Sequence, residues 1–193
     1  MNSFPNYFNH VAHNFDGNHM NFETQQGLHF LQIGVYTGDA SVYLLRKFSD
    51  LDDFTLTDVD TWAGGDSYEM SELDFAQIEE YYLDRTKQER ELGRCISMKT
   101  TSDLFFANNK QKFNFIYVDG NHEVIQLLKD GLNAFECLEI GGILAFDDYL
   151  GATNKLPHEQ PKFALDLYLS IMSGKVEVVI DNYQLWVRKV LDS

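Results

Sequence analysis

FNFIYVDGNHEVIQLLKDGLNAFECLEIGGILAFDDY, residues 113 to 149, decides the fold. It opens with an apolar, β-rich run that ends at Asp119 and closes with a second such run, GILAFDD, over 142 to 148. Between them Val124, Leu127, Leu128, Gly131, Leu132, Phe135 and Leu138 fall on one stripe of a helix predicted over 122 to 138. Strand, amphipathic helix and strand in that order predict a parallel pair joined by a crossover helix.

Working outward, the same alternation repeats. Strands are predicted at 28 to 34 (LHFLQIG), 54 to 60 (FTLTDVD) and 94 to 99 (RCISMK). Helices are predicted at Asp39 to Phe48, Tyr68 to Leu92, Ser102 to Asn109 and from Pro161 to Met172, the last opening on proline as a helix start should. KVEVVID and YQLWVRKV follow with only Asn182 between them, which predicts an antiparallel hairpin. The expected class is α/β: a Rossmann-like three-layer sandwich around a mostly parallel seven-stranded sheet with a C-terminal antiparallel hairpin. Residues 28–193 form one domain; residues 1–27, rich in Asn, His and Phe and without period, read as an N-terminal extension or lid, with a loosely docked tail as the alternative.

Gly34 and Gly38, with Tyr36 between them, sit where the first strand gives way to a helix that includes Ser41. Glycine there lets backbone approach a ligand, and the helix start offers free N–H groups, so this is a position for a nucleotide-like cofactor. The second strand ends in Asp58-Val59-Asp60, where an acid can accept both hydroxyls of a ribose. Asp60 is the candidate, and Trp62 stands beside it within reach of cofactor or substrate.

Asp119 ends the fourth strand, and Asp147 and Asp148 end the fifth. In a parallel sheet these ends face the same edge. Three carboxylates crowded there repel unless they share a cation, and oxygen donors favour a hard divalent ion, Mg²⁺ first and Ca²⁺ or Mn²⁺ next. His122, three residues after Asp119, could accept a substrate proton near neutral pH, orient Asp119, or ligate the metal; Asp119 is the rival base.

Composition narrows the partners. Fifteen basic against thirty acidic residues give a net charge of −15, which repels a phosphate backbone, so nucleic acid is not expected. No run reaches the roughly 18 apolar residues of a membrane span, and the first residues lack a leader pattern, so no membrane partner and a cytoplasmic location are expected. Homo-oligomerisation stays open. Cys95 and Cys137 have no CxxC spacing and read as buried free thiols. The basic cluster Arg85 to Arg94 reads as a solvated helix face. Tyr81, Tyr82, Phe105, Phe106, Phe113 and Phe115 read as core, and Trp186 as packing.

FLQIGVYTGDAS, DVDTW and the stretch from 113 to 149, in this order, resemble the class I S-adenosylmethionine (SAM)-dependent methyltransferases, in particular the metal-dependent sugar and macrolide and catechol-type O-methyltransferases. The resemblance spans roughly residues 22 to 170. It implies the seven-stranded arrangement, SAM as cofactor, and methylation of a small hydroxylated molecule. Cofactor contacts then fall on Gln32, Gly34, Tyr36, Gly38, Ser41, Asp60, Trp62, Ser102 and Asp119, although Ser102 also reads as a plain helix cap. Gln32 departs from the family, which has Glu there to hold the methionine ammonium. The metal triad maps onto Asp119, Asp147 and Asp148, the last being Asn in the catechol enzymes; His122 takes the place of their lysine base. The alternatives are a metal-independent methyltransferase acting on another acceptor, a non-catalytic SAM-binding or partner-binding protein, and a NAD-linked enzyme.

Overall fold

A computed structural model describes residues 4–20, 22, 27–64 and 73–192. Seven strands form one sheet in the order β3-β2-β1-β4-β5-β7-β6. They are β1 His29–Ile33, β2 Thr55–Asp60, β3 Cys95–Lys99, β4 Phe113–Val118, β5 Leu138–Phe146, β6 Val176–Asp181 and β7 Leu185–Lys189. Neighbours from β3 to β5 run parallel, while β7 is antiparallel to both β5 and β6. The helices are α1 Asp39–Lys47, α2 Phe75–Arg85, α3 Lys87–Glu91, α4 Ser102–Asn108, α5 Val124–Cys137 and α6 Pro161–Ile171.

Alternation along the strands builds a core on each face. Leu31, Ile33, Leu144, Phe146, Leu185 and Val187 join Phe105 of α4, Leu127 and Phe135 of α5 and Leu165 of α6 on one side. Phe30, Ile143, Ala145 and Trp186 join Leu44 and Leu45 of α1 on the other. Two buried faces explain why β1, β4 and β5 read as near-continuous apolar runs, not as alternating ones.

The second face is completed by the N-terminal segment. Phe8, Val11, Phe15, Met20 and Phe22 are all buried in it. Short 3-10 turns at Ala12–Asp16 and Asn18–Met20 carry Phe15 onto the sheet, with ring centroids 4.8 Å from Trp186 and 5.2 Å from Tyr117. The loosely docked alternative does not describe residues 8 to 20.

Several boundaries differ from expectation. β5 begins at Leu138, ahead of the Gly141-Gly142 pair, where Gly141 takes φ +84° within the strand. The hairpin turn holds residues 182 to 184, so Tyr183 and Gln184 lie outside β7. The helix expected from Tyr68 to Leu92 is two helices, with residues 68 to 72 outside those described; they meet at Thr86, whose hydroxyl donates back to the Tyr82 carbonyl. Ser102 is not a helix cap, because the cap is Thr101, whose side chain accepts from the Leu104 N–H. Tyr81 is exposed and not core. Cys137 is only half-buried, and both cysteines are free.

The basic cluster is not simply a solvated face. Arg90 donates to the Leu83 carbonyl at 2.7 Å, Arg94 to the Phe48 carbonyl at 3.1 Å, and Arg85 to the Thr37 carbonyl at 2.8 Å. Long guanidinium side chains reach backbone acceptors across element boundaries, a use that helical charge patterning does not reveal. Among the described residues, no helix is long and apolar enough to cross a membrane.

Candidate functional site

The strand order reverses between β1 and β4, so the chain leaving β1 and the chain leaving β4 part company and open a crevice at their C-terminal ends. Every candidate residue lies on or near this edge. Gly34 follows β1 at φ +83°, and a Cβ placed on it would come within 2.1 Å of the Asp119 carbonyl oxygen. Only glycine lets the turn after β1 touch the end of β4 this closely.

The turn is tied from several directions. Asp60 Oδ2 accepts from the N–H groups of Val35 (2.6 Å) and Tyr36 (3.0 Å), and its Oδ1 accepts from the Trp62 N–H (2.8 Å). Trp62 in turn donates its indole N–H to the Tyr36 carbonyl at 3.0 Å. Tyr36 and Trp62 both adopt positive φ, 51° and 43°. A non-glycine residue there costs roughly 1–2 kcal/mol, which this bonding offsets. The carboxylate expected to meet a ribose therefore also shapes the turn beside it.

Gln32 and Ser41 face inward. The Gln32 amide donates to the Gly34 carbonyl at 2.8 Å and accepts from the Ser41 hydroxyl at 3.1 Å, with both residues buried. Both side chains brace the turn from behind. Ser102, at the start of α4, accepts from Gln126 at 3.2 Å.

At the end of β4 and β5 the acids gather. Asp147 is buried and accepts from the Gln184 amide at 2.7 Å. Asp148, at φ 54°, accepts from the Tyr183 hydroxyl on Oδ1 and lies 2.8 Å from His122 Nδ1 through Oδ2. The other ring nitrogen, Nε2, is 3.6 Å from Asp119 Oδ1, an ion-pair distance without a hydrogen bond. His122 thus stands between Asp119 and Asp148.

The charges are strongly coupled. Burial, and then the neighbouring Asp147 carboxylate, push Asp119 well above the usual carboxylate range, against the pull of His122. Burial alone would lower His122, but its contacts with Asp119 and Asp148 raise it to about 10. Burial pushes Asp148 up, but the bond to and charge of His122, the Tyr183 hydroxyl and the charge of His10 together hold it below the usual carboxylate range. The two carboxylates thus favour the protonated form of the imidazole between them.

By chemistry the oxygen donors of Asp119, Asp147 and Asp148 fit a hard divalent ion. As placed, no three acidic, imidazole or thiol groups among the described residues converge on one point. Asp148 is turned toward His122 and Tyr183 instead.

Sequence reasoning missed four contributors. Tyr82 is fully buried, stacks on Trp62 (5.0 Å, 30°) and donates to Asp58 at 2.9 Å. Arg85 holds Thr37 and Asp39. Tyr183 and Gln184 hold Asp148 and Asp147. None sits in a motif, and the one available signal was the i, i+3 spacing that puts Tyr82 and Arg85 on one side of α2.

A family model described as a methyltransferase domain matches residues 31–149. No curated protein sequence matches the chain. Among solved structures, the O-methyltransferase TomG from Streptomyces achromogenes, in complex with SAM, is similar with TM-score 0.63 at 13% identity, covering 89% of this chain and 77% of that one. An O-methyltransferase from Bacillus cereus in complex with SAH has TM-score 0.60 at 12% identity, with 89% and 78% covered. An rRNA-methylase candidate from Clostridium thermocellum has TM-score 0.67 at 12% identity, with each chain covered in full. At these identities the likeness is one of fold.

Proposed function

Since the chain belongs to the methyltransferase domain family, we propose that it transfers the methyl group of SAM to a hydroxyl oxygen of a small molecule. The observation that carries this reading is the contact of Gly34 with the Asp119 backbone, which makes the cofactor turn and the acid cluster two walls of one site.

In this reaction the acceptor oxygen attacks the methyl carbon in line. The C–O bond forms as the C–S bond breaks, and sulfur keeps the electron pair, leaving S-adenosylhomocysteine. The cofactor brings its own activated carbon, so the protein's task is orientation and removal of one proton. Asp119 takes that proton: burial and the Asp147 carboxylate raise it well above the usual carboxylate range, which makes it a stronger base, and it stands at the end of β4 on the reacting edge. His122, in its protonated form, balances the charge of Asp119 and Asp148 and fixes their direction. This assigns the base to Asp119, with His122 as its partner.

A net charge of −15 favours neutral or cationic small acceptors over nucleic acid. Trp62 and Asp60 are the cofactor-side contacts in this reading; with Oδ2 accepting two N–H bonds and Oδ1 one, Asp60 keeps one acceptor position on Oδ1 for a ribose hydroxyl.

A second, finer reading is that Asp119, Asp147 and Asp148 hold a divalent ion, Mg²⁺ first, and it is favoured by the Asp147 carboxylate, which helps to raise Asp119 even with His122 beside it. When bound, such an ion supplies Lewis-acid stabilisation of the acceptor oxygen.

Calorimetry with SAM and with NAD tests the cofactor; binding of NAD without SAM rejects the proposal. Transfer of labelled methyl from SAM to a panel of sugars, catechols, phenols, amines and RNA tests the acceptor, and labelling confined to RNA or amines rejects small-molecule O-methylation. Full turnover in excess chelator rejects the metal reading alone.

A further inference from the structure

The glycine turn is gripped from outside the sheet by α2. Gly38, at φ +76°, packs so closely on this helix that a Cβ there would lie 2.6 Å from the Tyr82 ring. Tyr82 is locked in turn by Asp58 below and by Trp62 against its face, and Trp62 holds the Tyr36 carbonyl. One turn further along α2, Arg85 donates Nη1 to the Thr37 carbonyl at 2.8 Å and pairs with Asp39, the first residue of α1, at 2.7 Å. The Thr37 hydroxyl closes the circuit by donating to the same Asp39 at 2.8 Å.

We propose that Tyr82 and Arg85, which lie outside every cofactor motif, are positioning residues for the cofactor: together they hold residues 34 to 39 in the shape that receives SAM. This rests on the reading of the turn as a SAM site. The physical case is that the turn contains two sterically demanding points, Tyr36 in the left-handed region and Gly38 under an aromatic ring, and that bonds from outside the turn offset their cost. Asp60 secures its N–H groups, whereas its carbonyls at Tyr36 and Thr37 are secured only through Trp62 and Arg85 among the described residues. A guanidinium suits this task because the two N–H bonds of Nη1 alone can address a carbonyl and a carboxylate at once, and the charge does not depend on pH. Arg85 acts through the backbone of the turn and need not touch the cofactor.

The test is calorimetric titration of SAM into the full chain and into Arg85→Met and Arg85→Lys, alongside thermal melting without ligand. Arg85→Met keeps the aliphatic stem and removes the fork. The expected result is SAM affinity weaker by about tenfold or more, with a partial return in Arg85→Lys and a ligand-free Tm lowered by no more than about 5 °C. Should Arg85→Met fail to fold, Arg85→Lys is expected to bind SAM measurably more weakly than the parent by itself. If the parent binds SAM and the folded variants bind it within about twofold, the inference is overturned while the function stands. A lower Tm without a change in affinity overturns it equally, since that is what a purely structural role produces. Absence of SAM binding by the parent overturns the functional reading and this inference with it.

Discussion

The side-chain amide of Gln184 donates to Asp147 Oδ1 at 2.7 Å, from the turn that precedes β7. The next residue back, Tyr183, donates to Asp148. Two consecutive residues of one hairpin thus hold the two consecutive carboxylates that end β5. Gln184 is itself fixed: its amide oxygen accepts from Asn14 at 2.8 Å and from the Trp186 indole at 2.9 Å.

Gln184→Met keeps the volume and removes every one of these bonds. Asp147 is then buried without that donor, which is expected to destabilise the fold by about 1–3 kcal/mol and to lower kcat on the order of tenfold, with SAM affinity unchanged. Denaturant titration, steady-state kinetics and calorimetry check the three parts; a loss confined to SAM affinity would contradict the placement of Gln184 on the acceptor side.

Gly34→Ala introduces a Cβ only 2.1 Å from the Asp119 carbonyl and forces alanine to φ +83°. Backbone must move at both walls of the site. A destabilisation of at least about 3 kcal/mol is expected, together with loss of SAM binding in whatever folded fraction remains. Calorimetry on the refolded variant decides it, and parent-like affinity would separate the turn from the cofactor.

Asp58 is fully buried beside Tyr82 and Cys95, and burial first, then the nearby Asp60, lift it to about 6 despite the Tyr82 bond. A folded-state value above the ordinary one means that this group favours the folded state when protonated. Its contribution is complete below the unfolded value of 3.8 and is lost as pH rises through about 6. Asp58→Asn is therefore expected to exceed the parent in stability by on the order of 2–3 kcal/mol near pH 7.5, with the gap closing toward pH 4. Melting curves across that range check it; a gap independent of pH would place the titration elsewhere.

Phe15→Ala removes a ring that touches Phe8, Phe115, Tyr117 and Trp186. A loss of about 3–5 kcal/mol is expected, the size typical of a core aromatic and far beyond that of a tail residue. Chemical denaturation measures it, and a change below about 1 kcal/mol would mean that the segment is only loosely docked.

What the sequence disclosed follows from where its constraints are local. Strands β1, β2, β4 and β5 are buried on both faces and end in glycine or aspartate, so apolar runs with polar stops marked them. Asp119, Asp147 and Asp148 were legible because parallel strands bring their C-terminal ends to one edge. Tyr183 was misplaced into a strand because its alternation with Leu185 and Val187 looks regular, whereas the bonds of Asn182 and Gln184 make a turn there. Arg85 and Gln184 were hidden for a different reason. Each is defined by a partner more than 35 residues away, and nothing in its own neighbourhood encodes the meeting. The aromatic residues before position 23 have no period to betray them, since Phe8 and Phe22 are buried from irregular chain and Phe15 from a short 3-10 turn.

Asn14 and Gln184 are 170 residues apart, yet they are direct partners. Ribosomal synthesis delivers the first of them long before the second, so the Asn14 side chain and the Trp186-facing edge of Phe15 wait for the last hairpin to emerge. The Asn14–Gln184, Phe15–Trp186 and His10–Tyr183 contacts are among the most non-local of the described residues, and their closure is where slow maturation and the need for chaperone protection concentrate. The acid cluster likewise acquires its Gln184 support only once the hairpin that carries Gln184 docks beside β5, so a nascent chain folded in its middle still lacks the donor to Asp147.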